Sequence, residues 1–153
     1  MGINGARVIL GGVVAGLIVN VSEFLVNNVV LGDEWSNAME ALNRPAEMPS
    51  GATAVFWLWG FMTGIMALWL YAAMRPRFGP GPKTAVLAAV AVWVPGSLLG
   101  VVFPAVLALF PTSLMAIGVV SGLVELVVGT LAGAWLYREV ETSSGSHAAA
   151  VRA

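Results

Sequence analysis

VILGGVVAGLIVNVSEFLVNNVVL, residues 8–31, decides the fold of this chain. The stretch carries a single charge and exceeds the ~20 apolar residues that cross the hydrocarbon core of a bilayer, so it reads as a membrane-spanning helix. It is too long for the apolar part of a secretory signal, contains Glu23 and lacks a small-x-small cleavage pattern; it is therefore expected to be retained. Its polar residues are the unusual part. On a helix of 3.6 residues per turn, Gly12, Gly16, Asn20, Glu23 and Asn27 fall on one face, with Asn28 at its edge. An acidic side chain at the bilayer centre costs roughly 2.5 to 3.5 kcal/mol. This face is accordingly expected to turn inward, toward protein.

Three further runs reach the same length, at residues 52–74, 84–110 and 113–137. The links between them are GDEWSNAMEALNRPAEMPSG, RPRFGPGPK and the dipeptide Pro111-Thr112, and short links force antiparallel neighbours. The expectation is an all-α fold: a polytopic, up-down four-helix bundle forming one membrane domain over residues 1–138, followed by a flexible tail at 139–153. In the first link, Trp35, Ala38, Met39 and Leu42 recur at helical spacing, with Asp33 placed to cap and Pro45 to stop, which predicts a short interfacial helix. The prolines and glycines of the second link predict a stiff turn, and Pro95-Gly96 a kink in the third span.

Composition agrees with a membrane protein and excludes much else. The chain is 59% hydrophobic and 10% charged, with a mean hydropathy of +0.89, outside the range of ordinary globular domains. Seven basic and eight acidic residues balance to a net charge of -1, which favours no nucleic-acid partner. Six of the seven basic residues, Arg7, Arg75, Arg77, Lys83, Arg138 and Arg152, fall on one side of the expected topology and Arg44 alone on the other. Because Lys and Arg collect in cytoplasmic loops, a multi-pass protein of the cytoplasmic (inner) membrane is expected, with both termini and the second link on the cytoplasmic side. There is no cysteine, and the one histidine, His147, is in the tail. Haem, iron–sulfur and transition-metal sites rely on those ligands, so no metal and no cofactor is expected. No nucleophile–base constellation or phosphate-binding loop is visible, so the chain does not read as an enzyme.

The fourth span repeats the pattern of the first. Gly118, Gly122, Glu125, Gly129 and Gly133 share one face. Small residues at this spacing let helix backbones approach, and polar groups there hydrogen-bond across the gap. The first and fourth spans are thus expected to meet through their glycine faces, with Asn20 bonded to Glu125 and Glu23 about one turn above. Gly60 and Gly64, with Gly96 and Gly100, would bring the second and third spans together in the same way. No Lys, Arg or His lies within the spans to pair the acids. Their less costly states are a protonated carboxyl bonded to an amide or carbonyl, or an ionised one in a wet cavity.

GARVILGGVVAGLIVNVSEFL, the WLWGF of the second span, RPRFGPGP and GLVELVVGTLAGAWLYRE together resemble the uncharacterised small four-helix integral membrane proteins of bacteria, over nearly the whole chain. The resemblance implies a fold and a bacterial membrane location but no activity. Two main roles follow from the residues, with binding of a lipid or other apolar ligand between helices as a lesser third. The first is a non-catalytic bundle acting as an accessory or assembly subunit, with lipid, other membrane subunits or copies of itself as partners. The second is a small proton- or cation-coupled transporter or channel using Glu125 and Glu23, with Asn20, Asn27 and Asn28 along the route.

Overall fold

The computed structural model describes residues 2–137, so the tail at 139–153, together with Arg138, His147 and Arg152, lies outside the described residues. The described residues form an all-α bundle. Helix α1 spans Gly5–Phe24 and runs into a π-helical stretch at Leu25–Val30; α2 spans Gly32–Ala41, α3 Ala52–Phe78, α4 Pro82–Trp93, α5 Val102–Val106 and α6 Thr112–Leu136, with a second π-helical stretch at Val94–Leu98. Four segments are long and apolar enough to cross a membrane: Gly5–Val30, Ala52–Phe78, Pro82–Val106 and Thr112–Leu136. By helix length and composition this is a multi-pass membrane protein, with α2 as the short extra helix of the first link.

Local chemistry sets the helix ends. Asn4 caps α1 through Oδ1, which accepts from the Arg7 N–H at 3.2 Å. The cap of α2 differs from expectation: Leu31 occupies it without a side-chain bond, and Asp33 lies inside the first turn beside Glu34, where acidic groups favour the positive end of the helix dipole. Helix α3 also runs past Met74, through Pro76 to Phe78. Proline's fixed φ is itself helical, so Pro76 removes one backbone bond without ending the helix. Termination waits for Gly79, at φ +82, and Gly81, at φ +126, conformations that glycine adopts without a Cβ clash. Thr84 Oγ1 then donates to the Gly79 carbonyl at 2.7 Å and fixes the turn into α4.

The half of the bundle that holds the start of α1 and the end of α6 is tightly packed. Tyr71 and Tyr137 meet edge to face at 5.9 Å, and the Arg75 guanidinium lies over both rings, 5.8 and 5.1 Å from their centroids. Tyr137 accepts from the Asn4 N–H at 3.2 Å, tying the end of α6 to the start of α1. A second buried cluster, Val19, Ala67, Ala89, Val92 and Leu126, fills the bundle axis at mid-depth.

Glycines set these spacings, with partners that differ from the sequence reading. The first helix uses two adjacent stripes. Gly12 and Gly16 face α3, where an added Cβ would lie 2.6 Å from the Ile65 and Phe61 Cα atoms. Gly11 and Ala15 face α6, meeting Gly133 and Gly129. Gly60 and Gly64 of α3 pack on Asn20, Gly16 and Gly12 of α1, not on the third span. Gly118 and Gly96 border open space, while Gly122 lies beside Ser97 and Trp93. A single glycine face on α1 cannot serve two neighbours, so the chain places small residues at 11 and 15 for one helix and at 12 and 16 for the other.

The opposite half, which holds the end of the first span and the start of α6, opens. Residues 53–59 of α3 are exposed on every face, as are most residues from Pro95 to Ala108. The third span does not simply kink at Pro95-Gly96. It passes through the π-helical stretch, turns at Leu99–Val101 and resumes only as the short α5. Pro95 supplies no N–H and Gly96 no side chain to pack, so a helix broken there has little to restore it.

Candidate functional site

Glu125 lies near the middle of α6, roughly 20 Å from its first residue and 17 Å from its last at 1.5 Å per residue. It is 7% exposed, and its Oε2 has no hydrogen-bond partner among the described residues. One turn further in, Gly129 lets the Ala15 backbone come close. That approach holds the Glu125 carboxyl in the seam between α1 and α6, in electrostatic reach of the Glu23 carboxyl.

Glu23 stands one turn above Val19, a member of the buried axial cluster, and residues four apart share a helix face. Its side chain is therefore directed toward the bundle axis. It is nonetheless exposed, as are residues 53–59 of α3 and most residues from Pro95 to Ala108. Asn27 stands one turn further along the span and joins the acid to α2. Its Nδ2 donates to Glu23 Oε2 and to the Glu23 carbonyl, the latter at 3.1 Å. Its Oδ1 accepts from the Trp35 indole N–H at 2.9 Å. Trp35 belongs to α2 and packs edge to face on Phe110, ring centroids 5.3 Å apart. Beneath it Leu31, Ala38 and Leu114 form a small buried cluster that fastens α2 over the ends of α1 and α6. A polar ladder, Trp35–Asn27–Glu23–Glu125, thus runs from α2 to the middle of α6.

The other two asparagines of the first span lie elsewhere. Asn20 does not bond Glu125: its Nδ2 donates to the Trp57 carbonyl at 3.0 Å, and its amide occupies the space left by Gly60. It shares the Gly12–Gly16 stripe, and that stripe faces α3. Asn28 is exposed and donates to the Phe24 carbonyl of its own helix at 3.3 Å.

Behind Glu125 a second opening appears. A cavity of about 190 Å³ is lined by Ile18, Ser22, Val26, Ser121, Val124, Glu125 and Val128. Sequence reasoning missed Ser22 and Ser121, because a serine on a membrane helix more often bonds its own backbone; Ser121 does so, donating to the Gly118 carbonyl at 3.2 Å. Trp35 was legible as part of an apolar stripe, but its indole bond to Asn27 was not.

Among the described residues no three His, Cys, Asp or Glu gather into a metal-binding group. No protein-family model matches the chain, and no curated protein or solved structure is similar to it. What the chain belongs to is thereby bounded by its own features: a four-helix protein with four apolar helices of membrane-span length.

Proposed function

We propose that this chain is a non-catalytic membrane bundle that moves protons, or cations in exchange for protons, through the Glu125–Glu23 pair. Asn27 and Trp35 link the pair to the outer surface, and both termini lie in the cytoplasm, following the distribution of Lys and Arg. The observation that supports this reading is a buried carboxyl at mid-membrane whose neighbour is a second carboxyl reaching an open outer half. Intramembrane acids mark ion and proton routes because their burial costs too much to serve packing alone. The accessory or assembly role takes the polar seam as interior glue and the glycine faces as contacts within or between chains. Gly11, Gly12, Gly16, Gly60, Gly64, Gly129 and Gly133 are occupied by the chain's own helices, the first of those two uses, so they supply no separate support for a partner subunit.

The non-helical backbone at Leu99–Val101 fits the same reading. Irregular backbone at membrane depth is stable where protein or water covers it, and a water-filled outer vestibule between the splayed spans would supply that cover. The reading is tested in liposomes loaded with a pH-sensitive dye. With a potassium diffusion potential imposed, vesicles containing the protein are expected to acidify or alkalinise faster than protein-free vesicles. Equal rates, with and without sodium or potassium gradients, would remove the proposal.

A further inference from the structure

Contact between α1 and α6 changes character at Glu125. From Glu125 to the end of α6 it is backbone packing, with Gly129 on Ala15 and Gly133 on Gly11. Toward the start of α6 that packing stops: a Cβ added at Gly118 would meet nothing within 4 Å, and one at Gly122 would meet Ser97 and Trp93 of the third span, not α1. Glu23 lies on this side, so close-packed glycines do not fix its place beside Glu125. What reaches Glu23 is a chain of hydrogen bonds with one direction. The Trp35 indole N–H can only donate, so Asn27 Oδ1 accepts it, at 2.9 Å. The amide then has one way round, with Nδ2 donating to Glu23 Oε2 and to the Glu23 carbonyl, the latter at 3.1 Å. Turned over, it would lose the indole bond and set one acceptor against another. Trp35 is itself held, edge to face on Phe110 at 5.3 Å, on a helix fastened by Leu31, Ala38 and Leu114.

We propose that Trp35 is a positioning residue for the acid pair: by orienting the Asn27 amide, it holds the Glu23 carboxyl beside that of Glu125. Neither Trp35 nor Asn27 carries the proton, because an indole N–H only donates and a carboxamide has no titratable group. The proton reaches Glu23 directly, on its exposed side. Helix α2 thus acts on the pair from a distance of two hydrogen bonds, doing for this half of the α1–α6 seam what glycine packing does for the other. The effect on flux rests on the transport reading above; the clamp itself is measurable without flux.

The test is whether the two side chains act as one unit in the proton flux of reconstituted liposomes. Trp35→Phe keeps a ring against Phe110 and loses only the neutral bond that orients the amide, so flux should fall roughly two- to tenfold. Asn27→Leu loses the bond to the carboxyl, so flux should fall roughly ten- to a hundredfold. Because Trp35 acts through Asn27, the double variant should be no slower than Asn27→Leu alone. A purely structural role for Trp35 would instead multiply the two losses, which would overturn the proposal, as would wild-type flux in Trp35→Phe. The bond is also read from the indole N–H nuclear magnetic resonance signal of the full chain in lipid nanodiscs, assigned by its absence in Trp35→Phe. That signal should move in Asn27→Leu and stay in place in Asn28→Ala; a signal indifferent to Asn27→Leu would overturn the proposal. A wild type without flux removes the transport reading, and the clamp is then judged on unfolding midpoints. The coupling between Glu23→Gln and Glu125→Gln should be weaker in a Trp35→Phe background, and coupling of equal size there would overturn the clamp.

Discussion

Glu125→Gln is expected to bring the proton flux of reconstituted vesicles down to that of protein-free vesicles while the bundle stays folded. Glutamine has nearly the same shape and keeps a carbonyl oxygen and a donor in the α1–α6 seam, so the change in stability should stay within about 1.5 kcal/mol, the range of one neutral hydrogen bond. What it cannot do is release a proton. Glu23→Gln should slow flux as well, since Glu23 stands between Glu125 and the outer ladder. Asn28→Ala serves as the control: Asn28 bonds only its own helix, so flux should match wild type. Flux retained in Glu125→Gln would assign the buried carboxyl a structural role.

Gly64→Ala and Gly133→Ala should do the opposite, damaging the fold rather than the chemistry. A Cβ on Gly64 would collide with the Gly16 nitrogen and the Gly12 carbonyl oxygen, and one on Gly133 with the Gly11 carbonyl oxygen. These obstacles are backbone atoms, which cannot rotate aside, so a whole helix must shift. Overpacking of this kind costs about 1 to 3 kcal/mol or more, to be read as a lower midpoint when the protein is unfolded by SDS in mixed micelles. Gly118→Ala faces open space and should raise the midpoint, since alanine is favoured over glycine inside a helix by about 0.5 to 1 kcal/mol. A midpoint unchanged in both Gly64→Ala and Gly133→Ala would mean that the helices do not approach through these residues.

These two results also mark how far the residues alone could be read. Length and hydropathy were enough for the four spans, because bilayer thickness imposes a length that few soluble segments reach, and helical spacing of apolar residues was enough for the short helix of the first link. The meeting of the first and last helices was visible in glycines spaced by a turn. Which glycine serves which neighbour was not. Positions 11 and 12 lie only 100° apart on the helix, and a seam shared between α3 and α6 is a property of three helices at once. Asn20 illustrates the result: spacing placed it on the acid's face, but Gly60 left room for it on the other side, and the Trp57 carbonyl took its proton. The break after Pro95 was legible as a kink, whereas the open half of the bundle, in which Glu23 is exposed, depends on where parts of two spans go once they stop packing. The cavity behind Glu125 was invisible because its serines carry no spacing signal.

The account stands on the two carboxyls being neighbours across α1 and α6. The measurement that addresses this most directly is the coupling energy from a double-mutant cycle on Glu23→Gln and Glu125→Gln, read from unfolding midpoints in mixed micelles. Groups in contact couple by about 0.5 to 3 kcal/mol, while distant ones add within about 0.5. A coupling inside the first range is predicted; strict additivity would show that Glu23 and Glu125 do not meet.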